Sequence, residues 1–179
     1  MLAYLDAKIS FRQLLAFIPF VLLLHNCEEA ITMPEWVTEN ISLLQEKIPF
    51  FQVLHFSSAQ LFASLSLVTL LPFIVFWICR DGEKQSKKIK TLLLLQGIIF
   101  ANVFVPHIGG SLVLMKYNPG VITAAMFNLP FSFYLFRRAV REGFSTKESL
   151  RRILIAAVVV YLPIVYGIHI FAEWSVGGL

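Results

Sequence analysis

Charge is what this chain has least of. Asp, Glu, Lys and Arg make up 15% of its 179 residues, against about 25% in soluble domains. That scarcity leaves no room for a separate soluble domain. Cysteine is scarce as well, with two in the chain. Cys27 ends the first apolar run and Cys79 the second. Antiparallel helices put them at opposite faces of a bilayer, which argues against a disulfide. Internal repeats and low-complexity tracts are lacking, and the apolar runs do not alternate as barrel strands do. No small-residue cleavage site follows the first apolar run, so it reads as a helix of the mature chain rather than a signal peptide.

What is present is apolar: 58% hydrophobic residues, 17 Phe and a mean hydropathy of +0.75. A helix needs about 20 mostly apolar residues to cross the hydrocarbon core. Five segments qualify, at about 11–31, 56–79, 91–108, 120–137 and 152–172. The expected fold is therefore all-α, a single membrane domain of five transmembrane helices over 1–179. Val37, Ile41, Leu44 and Ile48 repeat at helical spacing, which predicts an interfacial helix over about 34–48. Asn40-Ile41-Ser42 is a glycosylation sequon in that stretch.

The cations set the expected orientation. Of fifteen Lys and Arg, only Lys47 and Lys116 fall outside the N-terminal segment and the loops before spans three and five. The positive-inside rule then puts the N-terminus in the cytoplasm and the C-terminus outside, in a multi-pass protein of the plasma membrane. These basic loops lack any accompanying aromatic or folded module, so nucleic acid is not an expected partner.

With that topology, His25, His55, His107 and His169 all fall toward the outer face, level with Glu28, Glu29 and Glu173. Arg12 marks the inner interface. At 1.5 Å per residue, His25 and Glu29 lie about 20 and 26 Å into a core of about 30 Å. Ionisable groups at that depth are costly and usually paired or functional. His25 shares a helix face with Glu28 (i,i+3) and with Glu29 (i,i+4). One arrangement makes His25 and Glu29 metal ligands and Glu28 the base on a bound water, as in the inverzincin spacing. A second makes His25 and Glu28 the ligands. A third uses imidazole and carboxylate for acid–base chemistry without metal. The plain alternative is a helix end whose carboxylates snorkel to water.

His25-Asn26-Cys27-Glu28-Glu29 in a small multi-span chain resembles the HXXEE domain family, named for this motif. The stretches Asn102 to His107 and Tyr117-Asn118-Pro119-Gly120-Val121-Ile122-Thr123-Ala124 also resemble its pattern, so the likeness runs from about residue 14 to 136. The resemblance implies a membrane enzyme centred on His25, Glu28 and Glu29, and names no substrate.

His107 is the expected third ligand, with Pro106 kinking the helix beside it. Asn102 is expected to orient a ligand or substrate. Asn118 and Gly120 belong to a turn into span four, either a plain turn or one whose backbone amides hold an anionic group at the site. Tyr166, His169 and Glu173 form one stripe on span five, either a wall of the site or an interfacial belt. Gln96 and Asn128 read as packing amides.

The leading expectation is metal-assisted hydrolysis of a membrane lipid, an isoprenoid or another hydrophobic small molecule. His25, Glu29 and His107 would hold zinc, iron or manganese. An isomerase or cyclase working by His/Glu acid–base chemistry comes second, by analogy. A proton or metal-ion transporter comes third, because the chain has no repeat and the inner halves of its spans are almost bare of ionisable groups. Composition leaves a homo-oligomer open.

Overall fold

A computed structural model describes residues 6–47 and 57–177. All regular structure among these residues is helical. Helix α1 is Phe11–Lys47, α2 is Ser58–Cys79, and α5 is Lys147–Gly177. Between them, α3 runs Lys87–Asn102, widens into a π-helical turn at Val103–Gly109 and resumes at Gly110–Leu114. Helix α4 is built the same way: Val121–Thr123, a π turn at Ala124–Asn128, then Leu129–Arg141.

The helix starts follow the sequence. Ser10 and Gln13 form a reciprocal capping box at α1, with Gln13 Oε1 accepting from the Ser10 N–H at 2.9 Å. Ser57 and Ser86 cap α2 and α3 by accepting from the N–H groups of Gln60 and Ile89. Thr146 does the same for α5 at Ser149.

Helices α1, α2, α3 and α5 are long and apolar enough to cross a membrane, by length and composition. The fifth expected span falls on α4, which is not among them. Its seam toward α3 carries a polar tie, Gln96 Nε2 donating to Ser132 Oγ at 2.8 Å. Outward faces are apolar, as lipid requires: Leu70, Trp77, Val158 and Val159 are exposed. Closeness between helices is set by small residues. A Cβ on Gly97 of α3 would stand 2.8 Å from Ala157 Cβ of α5.

The interior has two halves. Toward the basic loops it is apolar, built on Phe11, Leu15, Ile18, Leu92, Leu93 and Leu135. That end is fastened by Arg138, which is buried and bonds the Ile9 carbonyl at 2.7 Å and Glu142 at 2.5 Å. Beside it, the hydrogen-bonding Arg141 guanidinium holds the Asp6 carboxyl down to about 2. Toward the other end the interior is polar, and there the candidate site lies.

The residues expected to hold a span at about 11–31 and an interfacial helix at about 34–48 form one continuous 37-residue helix through Pro34. A proline removes one backbone bond, and the chain on both sides favours helix strongly enough to continue. The far half of α1 is docked. Trp36 Nε1 donates to the Tyr117 carbonyl at 2.6 Å, and Asn40 Oδ1 accepts from Lys116 at 3.1 Å. Asn40, the sequon residue, is buried, and its Nδ2 donates to the Trp36 carbonyl. It is therefore not the exposed loop residue that glycosylation needs.

Candidate functional site

Helix α1 supplies His25, Glu28 and Glu29 on adjoining faces, as their spacing requires. His25 is 0% exposed. Helix α3 supplies Asn102 and His107, and here the π turn matters. Five residues advance an α-helix by about 500°, leaving their side chains about 140° apart. A π turn closes i→i+5 instead, so residues five apart become neighbours. Asn102 Nδ2 stands 2.8 Å from His107 Nε2.

The 115–120 connection closes the site. Met115 and Gly120 adopt left-handed backbone, Gly120 at φ 81°. A Cβ on Gly120 would meet His25 Cε1 at 2.6 Å, His107 Cε1 at 2.8 Å and Glu29 Cγ at 3.0 Å. Only glycine fits both the dihedral and the space. Asn118 Nδ2 donates to the Pro106 carbonyl and ties this loop to the π turn.

The hydrogen bonds assign the tautomers. His107 Nδ1 lies 2.8 Å from the Pro119 carbonyl, which can only accept. Nδ1 therefore carries the proton, and Nε2 a lone pair. His25 Nδ1 lies 2.9 Å from Thr123 Oγ1. The one Thr123 hydroxyl proton goes to Glu28 Oε2 at 2.6 Å, the stronger acceptor. Thr123 thus accepts from His25 Nδ1, and His25 Nε2 is also a lone pair. Tyr161 OH donates to Asn102 Oδ1 at 2.7 Å, which turns the Asn102 amide protons toward both Nε2 atoms, at 2.8 and 3.4 Å.

Glu29 Oε1 completes the centre, 3.8 Å from His25 Nε2 and 3.6 Å from His107 Nε2. The two rings meet edge to face with centroids 4.6 Å apart. Two imidazole lone pairs and a carboxylate thus converge within 4.8 Å, a group that could hold a metal ion. Asn102 Nδ2 faces both imidazole lone pairs, and a buried carboxylate beside them is costly unless it is paired, hydrogen-bonded or protonated.

Glu28 faces elsewhere. Its Oε2 accepts from the N–H and hydroxyl of Thr123, in the first turn of α4, and its Oε1 from Tyr117 OH at 2.7 Å. A carboxylate at a helix N-terminus is favoured by the helix dipole. Burial, with Glu28 alongside, lifts the Tyr117 phenol above its ordinary range, so it remains a donor.

Of the residues expected from sequence, His25, Glu28, Glu29, Asn102, His107 and Gly120 come together, with Asn118 in support. The stripe on α5 does not join them in the same way. His169 is buried with Nε2 3.1 Å from Gln60 Nε2, while Tyr166 and Glu173 are exposed. His55 lies outside the described residues. Sequence reasoning missed Thr123 and Tyr161. Tyr161 was findable as a tyrosine at the middle of span five, whose hydroxyl must find a partner.

A family model described as "protein of unknown function with HXXEE motif" matches residues 16–135. The "Uncharacterized protein YrkK" of Bacillus subtilis (strain 168) is 25% identical over 146 residues, covering 80% of this chain and 86% of that protein. No solved structure matches the chain. The chain belongs to the HXXEE family.

Proposed function

We propose that this HXXEE-family protein is a multi-pass enzyme of the plasma membrane that binds a divalent ion through His25, Glu29 and His107 and hydrolyses a lipid-like or isoprenoid substrate. In this reading α4 is the fifth crossing, the N-terminus is cytoplasmic, and the site opens to the outer leaflet. The observation that carries it is the pair of Nε2 lone pairs, fixed by Pro119 and Thr123, that face the Glu29 carboxylate. Tetrahedral zinc with bonds of about 2.0–2.1 Å sets its donors roughly 3.3 Å apart. The two separations to Glu29, 3.6 and 3.8 Å, need to close by a few tenths, and all three donors lie within 4.8 Å of one another. Two imidazoles and one carboxylate suit zinc, iron or manganese and leave coordination positions open.

When bound, the ion would supply Lewis-acid activation of a water molecule. The protein's own groups divide the rest. Thr123 and Pro119 orient the imidazoles, and Glu28 anchors Thr123, the outer-shell role that strengthens a histidine ligand. Glu28 was the expected base on the water, but both its oxygens are engaged by Thr123 and Tyr117. The free oxygen of the Glu29 carboxylate is better placed to take that proton. Asn102 presents amide protons for an oxygen of the substrate.

A second reading has its own support. Asn102 already donates toward both Nε2 atoms, an arrangement that needs no ion and suits an acid–base isomerase or cyclase. Elemental analysis separates the two. The protein is purified in detergent without a metal-binding tag, beside His25→Ala. Near-stoichiometric metal, lost in the variant, is expected. Metal in neither sample, after incubation with zinc, iron and manganese, would sink the hydrolase and leave the isomerase.

A further inference from the structure

A second feature lies at the opposite end of the molecule. A groove of about 580 Å³ runs between Val140 of α4 and one face of α5. Along α5 its lining begins with Lys147 and Arg151 and continues with Leu154, Ile155 and Val158. These positions fall on one side of a helix, spaced by three, four and seven. From Lys147 to Val158 the axis advances about 16 Å, close to half of a 30 Å hydrocarbon core. The groove thus has two cations at its mouth and an apolar wall one leaflet deep.

Those cations are not consumed by the protein. Lys147 makes no ion pair among the described residues. Arg151 meets Glu148 at 3.3 Å, but both side chains are more than half exposed, and such pairs contribute little. Glu148 also takes Arg152 at 2.9 Å.

We propose that this groove binds an anionic phospholipid, its phosphate between Lys147 and Arg151 and one acyl chain along Leu154, Ile155 and Val158. The charge of the mouth selects an anionic headgroup over a zwitterionic one, and the apolar wall selects a lipid over free phosphate. The inference rests on α5 crossing the membrane and is independent of the metal centre.

The test uses the full-length protein in detergent, titrated with phosphatidylglycerol or phosphatidylcholine and followed by native mass spectrometry. Phosphatidylglycerol should be held in preference. Each cation near an anionic surface is worth roughly fivefold in affinity, so Lys147→Gln with Arg151→Gln should weaken it ~25-fold. Lys87→Gln with Lys90→Gln, cations on the same face but off the groove, should leave it unchanged. Ile155→Trp should evict the lipid with both cations intact. Equal retention of the two lipids, equal loss in the Lys87/Lys90 control, or a protein dimer abolished by Ile155→Trp without any lipid adduct would each overturn the proposal.

Discussion

Tyr161 OH donates to Asn102 Oδ1 at 2.7 Å, and that bond decides which end of the Asn102 amide faces the two imidazoles. Tyr161→Phe removes the donor and strands a buried acceptor, at about 1–3 kcal/mol. Thermal unfolding in detergent should fall by several degrees, since about 1 kcal/mol moves a chain of this size by roughly 2–4 °C. An unchanged midpoint would mean that the amide is oriented by something else.

Gly120→Ala should empty the centre without unfolding the bundle. The left-handed backbone costs a non-glycine residue about 1–2 kcal/mol. The larger effect is steric, because the added carbon would stand within 3.0 Å of His25, His107 and Glu29. The expected result is native helical content by circular dichroism with metal binding lost. Wild-type metal content in this variant would contradict the geometry.

Thr123 is expected to matter through its hydroxyl alone. Thr123→Val should lower metal affinity 10- to 100-fold, the usual effect of losing an outer-shell partner. Thr123→Ser, which keeps the relay from Glu28 to His25, should bind nearly as tightly as wild type. Competition with a fluorescent zinc chelator measures both, and identical affinities for Ser and Val would remove the relay from the account.

The two glutamates should differ in kind. Glu28→Gln disturbs Thr123 and the start of α4, so metal should bind more weakly, about 10- to 100-fold. Glu29→Gln removes the one anionic donor of the proposed metal centre, and stoichiometric metal should be absent. Equal retention in the two variants would dissolve that division of labour.

Much of this was legible in the sequence because a single residue or a single spacing carried it. His25 and Glu29 converge since i,i+4 is a helix neighbour relation, and the Ser and Thr caps mark where helices begin. The continuity of α1 through Pro34 was not legible, because the apolar spacing over 34–48 shows a helix without showing that it joins the span before it. The α5 stripe stayed open because period alone cannot say which helix a face meets: His169 meets Gln60 on α2. Thr123 and Tyr161 escaped because each acts through another residue, Thr123 on His25 and Tyr161 on Asn102. Such partners are set by tertiary packing, and no local pattern announces them.

The widened turn at Val103–Gly109 carries a last consequence. A π turn is, in effect, one residue inserted into an α-helix. Restoring α-helical pairing there with every residue kept would rotate everything downstream by roughly 100°. The seam up to Asn102 would keep its register, while His107 swung away from His25. A one-residue deletion between Asn102 and His107 would instead leave the two four apart, neighbours in an ordinary α-helix. The extra residue and the widened turn thus compensate each other, and the centre depends on their occurring together.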